Sequence, residues 1–483
     1  MADYEYDIGV IGGGAAGLTV ASGAAQLGAK TVLIEKERSL GGDCLHYGCV
    51  PSKTLIRSAQ VYHQMRRADE YGLPKVNLPP VDFRQIAGRI QSVIDVIQDH
   101  DSEERFCGLG ARVVFGAPRF MDPHTVECAG ERISARSWVI ATGSSPSVPE
   151  IPGLAATPYI TNMQVFSLKK LPASMLVLGG GPIAIEMAQA FRRLGSEVTV
   201  IQREGQILPK EDRDMAEAVL GALASEGVRF ILNADTLSVR DTGEARELTV
   251  SSGGATQTLT GETLLVATGR KPNVERLGLG EIGVEYSARG VKVDNRLRTT
   301  VKHIYAAGDV NGGYQFTHAA GYEGGVVVAN AVFRLPRKVD YTHIPWCTYS
   351  DPELASIGLN EQAAAARGIR YTVWIEPFRS NDRALAEGET TGRIKLLLDA
   401  RERPLGVQIL GPQAGELISE WVAVMNGGVK LSTLAGAIHP YPTLGEINKR
   451  VAGAVFSGRI FSDRVRKGLK FFFDLKGRAC GPE

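Results

Sequence analysis

Tyr6–Gly28 reads YDIGVIGGGAAGLTVASGAAQLG. A short β-type run, Ile8–Ile11, enters a turn of glycines and leaves as an alanine-rich stretch of helical texture. Gly12, Gly14 and Gly17 fit G-x-G-x-x-G. The first glycine permits a tight turn, the second lets a pyrophosphate touch the backbone, and the third lets helix and strand pack closely. The helix N-terminus favours the phosphate charge. The following strand, in KTVLIEKE, closes on Glu35, 18 residues after Gly17, where a carboxylate accepts from ribose hydroxyls. A glycine turn alone is an ordinary β-α connection. With a strand before, a helix after and an acid at that distance, it reads as a dinucleotide site.

The pattern returns roughly 165 residues later in SMLVLGGGPIAIEMAQAFRRLGSEVTVIQRE, Ser174–Glu204, with Gly179 and Gly181 in the turn. Ile183 or Ala184 stands where a third glycine is expected. The residue aligned with Glu35 is Gln202, followed by Arg203. A lost carboxylate and a gained guanidinium suit a 2′-phosphate, so NADPH is expected, with NADH the alternative because Glu204 follows directly. Two other segments echo each other: VIATGSSPSVP (Val139–Pro149), holding Thr142 and Gly143, and LVATGRKPN (Leu265–Asn273), holding Gly269 and Arg270. Each is an apolar strand ending in Ala-Thr-Gly and reads as the end of one nucleotide domain. A third turn, Gly308-Asp309 in YAAGDV, offers an aspartate either to flavin ribityl hydroxyls or to a helix N-terminus.

Bulk properties narrow the class. A chain of 483 residues suggests about three domains. Its net charge of +1 gives no bulk field for nucleic acid. The N-terminus is acidic and lacks a secretory pattern, and no apolar run reaches the ~18 residues of a membrane span. Six cysteines in this length do not make a secreted disulfide scaffold, so a reducing cytoplasm is expected. Cys107, Cys128 and Cys347 read as core thiols.

Gly41–Lys53 reads GGDCLHYGCVPSK. The spacing is C-x₄-C and no second close pair exists in the chain, so a structural zinc site is not expected and no metal ligands are assigned. Cys44 and Cys49 read as a redox pair. A helix beginning near Cys44 would lower its thiol pKa.

The glycine boxes, GGDCLHYGCVPSK, the two ATG segments, IYAAGD and HPYPTLGE together resemble the flavoprotein disulfide reductases, the relatives of glutathione reductase, dihydrolipoamide dehydrogenase and mercuric reductase. The resemblance runs from about Asp7 to about Val455. It implies an α/β fold with two Rossmann-like dinucleotide-binding domains and a C-terminal α+β dimerisation domain. The expected segments are 1–150 binding FAD and carrying the cysteines, 151–273 binding NAD(P), 274–340 contacting the flavin, 341–455 at a homodimer interface, and a basic amphipathic tail at 456–483. It implies that Cys49 faces the flavin, that Cys44 attacks substrate and that Lys53 pairs with Glu186 near the flavin. Gly42, Asp43, Thr299, Asp309 and His318 would lie in cofactor-binding segments. Electrons would pass from NAD(P)H through FAD and the cysteine pair to an acceptor: a small molecule, a protein disulfide or a soft metal ion.

The chain departs from that family at one telling place. The family's proton-donating histidine, oriented by a glutamate five residues on, is here Tyr441, while the glutamate is kept as Glu446. A phenol of pKa ~10 shuttles protons poorly at neutral pH. Mercuric reductases also carry tyrosine there, whereas their terminal vicinal cysteines are represented here by Cys480 alone. His46, between the cysteines, is either a replacement base or a packed surface histidine. The expected activity is mercuric-reductase-like. The alternatives are action on a protein-bound disulfide, as in dihydrolipoamide dehydrogenase, and peripheral electron transfer through the tail. The tail, with Phe461, Val465, Leu469 and Phe472 at helical spacing among basic residues, suits a membrane surface, a protein partner or its own dimer.

Overall fold

A computed structural model describes residues 4–477, 479 and 480; Arg478 of the basic tail lies outside the described residues. The first glycine turn joins β1 (Tyr6–Ile11), α1 (Ala15–Gln26) and β2 (Thr31–Glu35). The cysteine stretch follows as a short helix, α2 (Gly42–His46), and a long one, α3 (Cys49–Arg66). β3 (Ala111–Phe115) and β4 (Glu131–Ile140) complete a parallel run in the order β3-β2-β1-β4. β1, β2 and the end of β4 are nearly continuous apolar, buried runs, as a sheet covered on both faces requires, whereas β3 and the start of β4 alternate with polar residues.

The second glycine turn joins β5 (Ser174–Leu178), α4 (Pro182–Leu194) and β6 (Glu197–Ile201). With β7 (Arg229–Ile231) and β8 (Thr263–Val266) they form a parallel sheet ordered β7-β6-β5-β8. The chain leaves the two sheets at the ATG segments, where Ser144–Pro146 and Arg270–Pro272 pair antiparallel. Segment 274–340, expected as a piece of its own, returns to the first sheet. There β9 (Ile304–Ala306) adds in parallel beside β4, and α5 (Thr317–Ala331) packs on α1.

The chain divides into two compact units, Met1–Pro209 with Leu223–Tyr341, and Lys210–Ala222 with Thr342–Glu483. Both parallel sheets belong to the first. The second is built on an antiparallel sheet of β10 (Pro345–Thr348), β11 (Glu353–Gly358), β12 (Thr372–Pro377), β13 (Arg393–Leu398) and β14 (Pro404–Gly411), ordered β10-β11-β14-β13-β12. Lys210–Ala222 joins this unit for an electrostatic reason. Lys395 on β13 is 1% exposed, and its ammonium reaches Asp212 at 3.0 Å, Asp214 at 2.5 Å and Glu361 at 2.8 Å. These three carboxylates are close enough to hold a cation, and the lysine fills that role. Beside them the buried Glu211 accepts from Trp346, Ser356 and Gln408 at 2.5, 2.8 and 2.7 Å.

Trp421 and Ile418 of α6 (Ala414–Asn426) pack with Val451 and Val455 of α7 (Glu446–Ile460) over this sheet. Because α7 runs to Ile460 with Val455 buried, the tail starts later than residue 456. Ser462 caps a separate helix, α8 (Asp463–Phe473), and Phe461 lies in the joint rather than on that helix. Among the other thiols Cys128 is buried and Cys347 partly so, but Cys107 is exposed, contrary to its reading as core.

Removing Lys395 leaves Asp212 buried without its counter-charge. Lys395→Met is expected to destabilise the second unit by about 3 kcal/mol, the lower end of the cost of orphaning a buried ion because Asp214 and Glu361 reach solvent. Urea unfolding followed through tryptophan fluorescence measures it.

Candidate active site

The dinucleotide cradle depends on three places where only glycine fits. Gly12 has φ +108°, and a Cβ there would lie 2.3 Å from the Ala141 carbonyl oxygen. Gly42 has φ +60°, and its Cβ would lie 2.7 Å from Gly14 Cα. The cysteine stretch therefore presses directly on the first turn, and the N-terminus of α1 at Gly14 stays uncovered for a phosphate. Gly17 packs equally tightly against Gly12. Glu35 is buried, and its carboxylate accepts from the amides of Gly13 at 2.6 Å and Glu37 at 2.8 Å.

The second turn repeats the close contacts of the first at its opening glycines. The Cβ of Gly179 would lie 2.3 Å from the Ala267 oxygen, and Gly180 faces Gln202 as Gly13 faces Glu35. Gln202 donates to the Gln206 carbonyl at 3.2 Å, while Arg203 is exposed, with Glu204 3.4 Å away. Gly181 caps α4, where a Cβ would meet nothing.

Beyond the first turn, Arg270 ties the two ATG segments to the cysteine stretch. It reaches Asp43 at 3.1 Å, Asp309 at 3.8 Å and the Ser144 hydroxyl at 2.7 Å. Ser144 in turn donates to Asp309 at 2.5 Å. Burial pushes the Asp309 carboxyl above its ordinary range, opposed by Ser144 and Arg270. Thr142 and Gly143 are held by Asn273, and Gly269 has φ +129° beside Arg270. Gly308, φ +83°, opens the turn carrying Asp309, and Glu323 accepts from its amide at 2.7 Å. This set of open helix N-terminus, acidic strand end and partly buried aspartate fits a flavin dinucleotide. The Thr299 hydroxyl bonds the Val301 carbonyl at 3.0 Å, and His318 stacks on Phe316.

Cys44 lies within α2 and Cys49 opens α3, so the N-terminal partial charge of an 18-residue helix acts on Cys49. Both are free thiols joined by a hydrogen bond. The Cys44 hydrogen bond is the main reason that Cys49 drops to about 6; Thr317, whose hydroxyl is 3.5 Å from its sulfur, and the Lys53 ammonium add to the effect. Cys44 is pushed up by the same hydrogen bond and by burial. The expectation that Cys44 would be the acidified thiol is thus corrected: Cys44 sits inside the five-residue α2, and its hydrogen bond to Cys49 favours the charge on Cys49. Lys53, four residues into α3, pairs with buried Glu186 of α4 at 2.8 Å, as expected. His46 is not joined to either sulfur; its Nε2 is 2.8 Å from the Leu40 carbonyl, which it meets as a donor.

In the second unit, Tyr441 is 70% exposed and its hydroxyl donates to Asp382 at 3.0 Å. Asp382 pushes the phenol further above its ordinary pKa. Glu446 does not bond the phenol, and its buried Oε2 has no hydrogen-bond partner among the described residues. His439 meets Glu420 at 2.9 Å. Thr317, Ser144 and Asn162, which donates to Asp43 at 3.2 Å and to the Tyr47 carbonyl, escaped sequence reading. Each acts across more than a hundred residues, and no local pattern marks it.

Residues 6–324 match the family described as pyridine nucleotide-disulphide oxidoreductase, and residues 344–452 match its dimerisation domain. The chain is 35% identical to a mercuric reductase of Bacillus cereus over 446 residues, which is 92% of this chain and 70% of that protein. It is equally 35% identical to a dihydrolipoyl dehydrogenase of Geobacillus stearothermophilus, over 92% of this chain and 94% of that one. Among solved structures, the HOCl-induced flavoprotein disulfide reductase RclA from Escherichia coli, as its Cu(II) complex, superimposes with a TM-score of 0.84 at 29% identity. The match covers 94% of this chain and all of that one.

In the reduced protein, thiolate absorbance is expected to titrate with a midpoint near 6, owed to Cys49. Thr317→Val and Lys53→Met each remove a group that favours the thiolate, so each raises that midpoint, by about one unit for the lysine. A midpoint that stays put in both variants contradicts this account.

Proposed function

The chain belongs to the pyridine nucleotide-disulphide oxidoreductase family, FAD-dependent enzymes that use NAD(P)H, and on that premise we propose that it is an NADPH-dependent reductase of a thiol-bound soft metal ion. Its dimerisation domain supports a homodimer. A flavin held by the Gly12–Gly17 turn, Glu35 and Asp309 would supply two-electron transfer between a nicotinamide and the cysteine pair. The Lys53 ammonium, held by Glu186 at 2.8 Å, favours the Cys49 thiolate, and the Glu186 carboxylate partly offsets it. Cys49 is poised as thiolate near neutral pH, and Cys44 holds the remaining proton until a ligand displaces it.

The observation that carries the metal reading is Tyr441. Reducing a disulfide releases a thiolate that needs a proton, and the family's donor for it acts across the dimer interface. Here the phenol is a weaker acid than usual and already spends its proton on Asp382. A soft divalent ion makes no such demand, since thiolates are its natural ligands. The balance is one NADPH and one divalent ion giving NADP⁺, a proton and the neutral metal atom. The solved Cu(II) complex of a similar reductase shows metal and this fold together in a relative. NADPH is favoured because Gln202 replaces the carboxylate seen at Glu35, and Arg203 is exposed beside it.

Steady-state NADPH oxidation is expected with Hg(II) and to be slow with lipoamide and glutathione disulfide. Rapid turnover of lipoamide by the natural protein overturns the metal reading in favour of a dihydrolipoyl-dehydrogenase-like one, and a quinone as the sole acceptor points to electron transfer. Tyr441→His supplies an imidazole near the unpartnered Glu446 oxygen, so lipoamide turnover should rise by about a hundredfold, the usual minimum for a placed general acid.

Arg203→Ala is expected to raise KM for NADPH by about tenfold, the lower bound for losing one charge-assisted hydrogen bond, and to leave KM for NADH unchanged. Equal effects on both nucleotides would remove Arg203 from 2′-phosphate recognition.

A further inference from the structure

Residues 459–478 carry seven Lys and Arg against two Asp, in a chain whose total charge is +1. The rest of the chain is therefore net acidic, and the excess cations are gathered at this end. None of the residues of α8 is buried. Val465, Leu469 and Phe472 occupy one side of the helix, Lys467 and Lys470 fall on the other, and Phe473 lies beside Arg466 and Phe471 beside Arg464 on the flanks. Phe471, Phe472 and Phe473 are 82%, 77% and 69% exposed, and Phe461 at the joint is 71% exposed. Isolated exposed apolar side chains are ordinary, but three consecutive exposed phenylalanines with a fourth close by mark a contact surface. Arg466 pairs with Asp463 and Arg459 with Glu402. Arg464, Lys467, Lys470 and Lys476 have no carboxylate partner among the described residues.

We propose that α8 and its flanks, Phe461 to Lys476, bind the surface of an anionic lipid bilayer. The four unpartnered cations match anionic headgroups, and the apolar side reaches the headgroup–acyl boundary. The three consecutive phenylalanines distinguish lipid from a protein groove. Successive helical residues are about 100° apart, so these rings point to three sides of the helix end. A groove on a folded partner covers one stripe, whereas fluid acyl chains surround all three. The family's dimerisation domain also ends at residue 452, before this segment begins. No described helix is long and apolar enough to cross a membrane, so the contact is peripheral.

The test uses the full-length holoenzyme and flotation with two kinds of vesicle, phosphatidylcholine alone and phosphatidylcholine mixed with phosphatidylglycerol. Binding is expected to the mixed vesicles only, to weaken as salt rises, and to fall at least tenfold in Phe471→Ser/Phe472→Ser/Phe473→Ser and in Lys467→Glu/Lys470→Glu. NADPH oxidation in solution should be unchanged in both variants, which shows that they fold. Failure to float with the mixed vesicles, or equal flotation of the natural protein and both variants, overturns the proposal. A mass by analytical ultracentrifugation that falls in the phenylalanine variant, without any vesicle binding by the natural protein, assigns the face to a second copy instead.

Discussion

Two contacts between a glycine and an alanine carbonyl hold the nucleotide-binding architecture together. Gly12 lies against Ala141 and Gly179 against Ala267, each so close that a Cβ would stand 2.3 Å from the oxygen. In both cases the neighbouring ladder is the same. The glycine amide bonds the end of the next strand, Ile34 or Ile201, and the alanine amide bonds the end of the first strand, Ile11 or Leu178. This packing fixes the crevice at the strand ends, where such sheets take their ligands. It also explains why Ala-Thr-Gly occurs twice: the segment closes each crevice before the chain crosses to the other half.

From that constraint the cysteine pair gains its position. Gly42 touches Gly14, so the stretch carrying Cys44 and Cys49 is seated on the first turn before any side chain is considered. Arg270 then binds Asp43, Ser144 and Asp309 in one cluster. An aspartate beside a phosphate-binding turn would repel the ligand if left alone, and the guanidinium offsets it. The division of labour between the thiols follows from geometry as well. One proton shared by two sulfurs settles on Cys44, because the long helix, Thr317 and Lys53 all favour charge on Cys49.

The second unit rests on a different principle. Lys395 and three carboxylates replace apolar packing at the edge where Lys210–Ala222 joins the antiparallel sheet. The same unit presents Tyr441 on the loop before α7, with Asp382 rather than Glu446 as its partner. That pairing makes the phenol a hydrogen-bond donor to Asp382 and a weaker acid than a free tyrosine.

What the sequence determined by itself was everything encoded in short-range pattern. The two glycine turns, the order strand-turn-helix-strand, the C-x₄-C pair, the change from Glu35 to Gln202 at the second strand end and the basic amphipathic end are each written within about thirty residues, since periodicity and turn chemistry act locally. Tertiary structure decided what depends on distance through space. Thr317 reaches Cys49 across 268 residues and Glu186 reaches Lys53 across 133, so the ionised thiol could not be read from the helix pattern around the pair. His46 turned to the Leu40 carbonyl, Phe461 fell in a joint, and segment 274–340 returned to the first sheet for the same reason. Electrostatics and packing answer to proximity, and proximity is set only once the chain has folded.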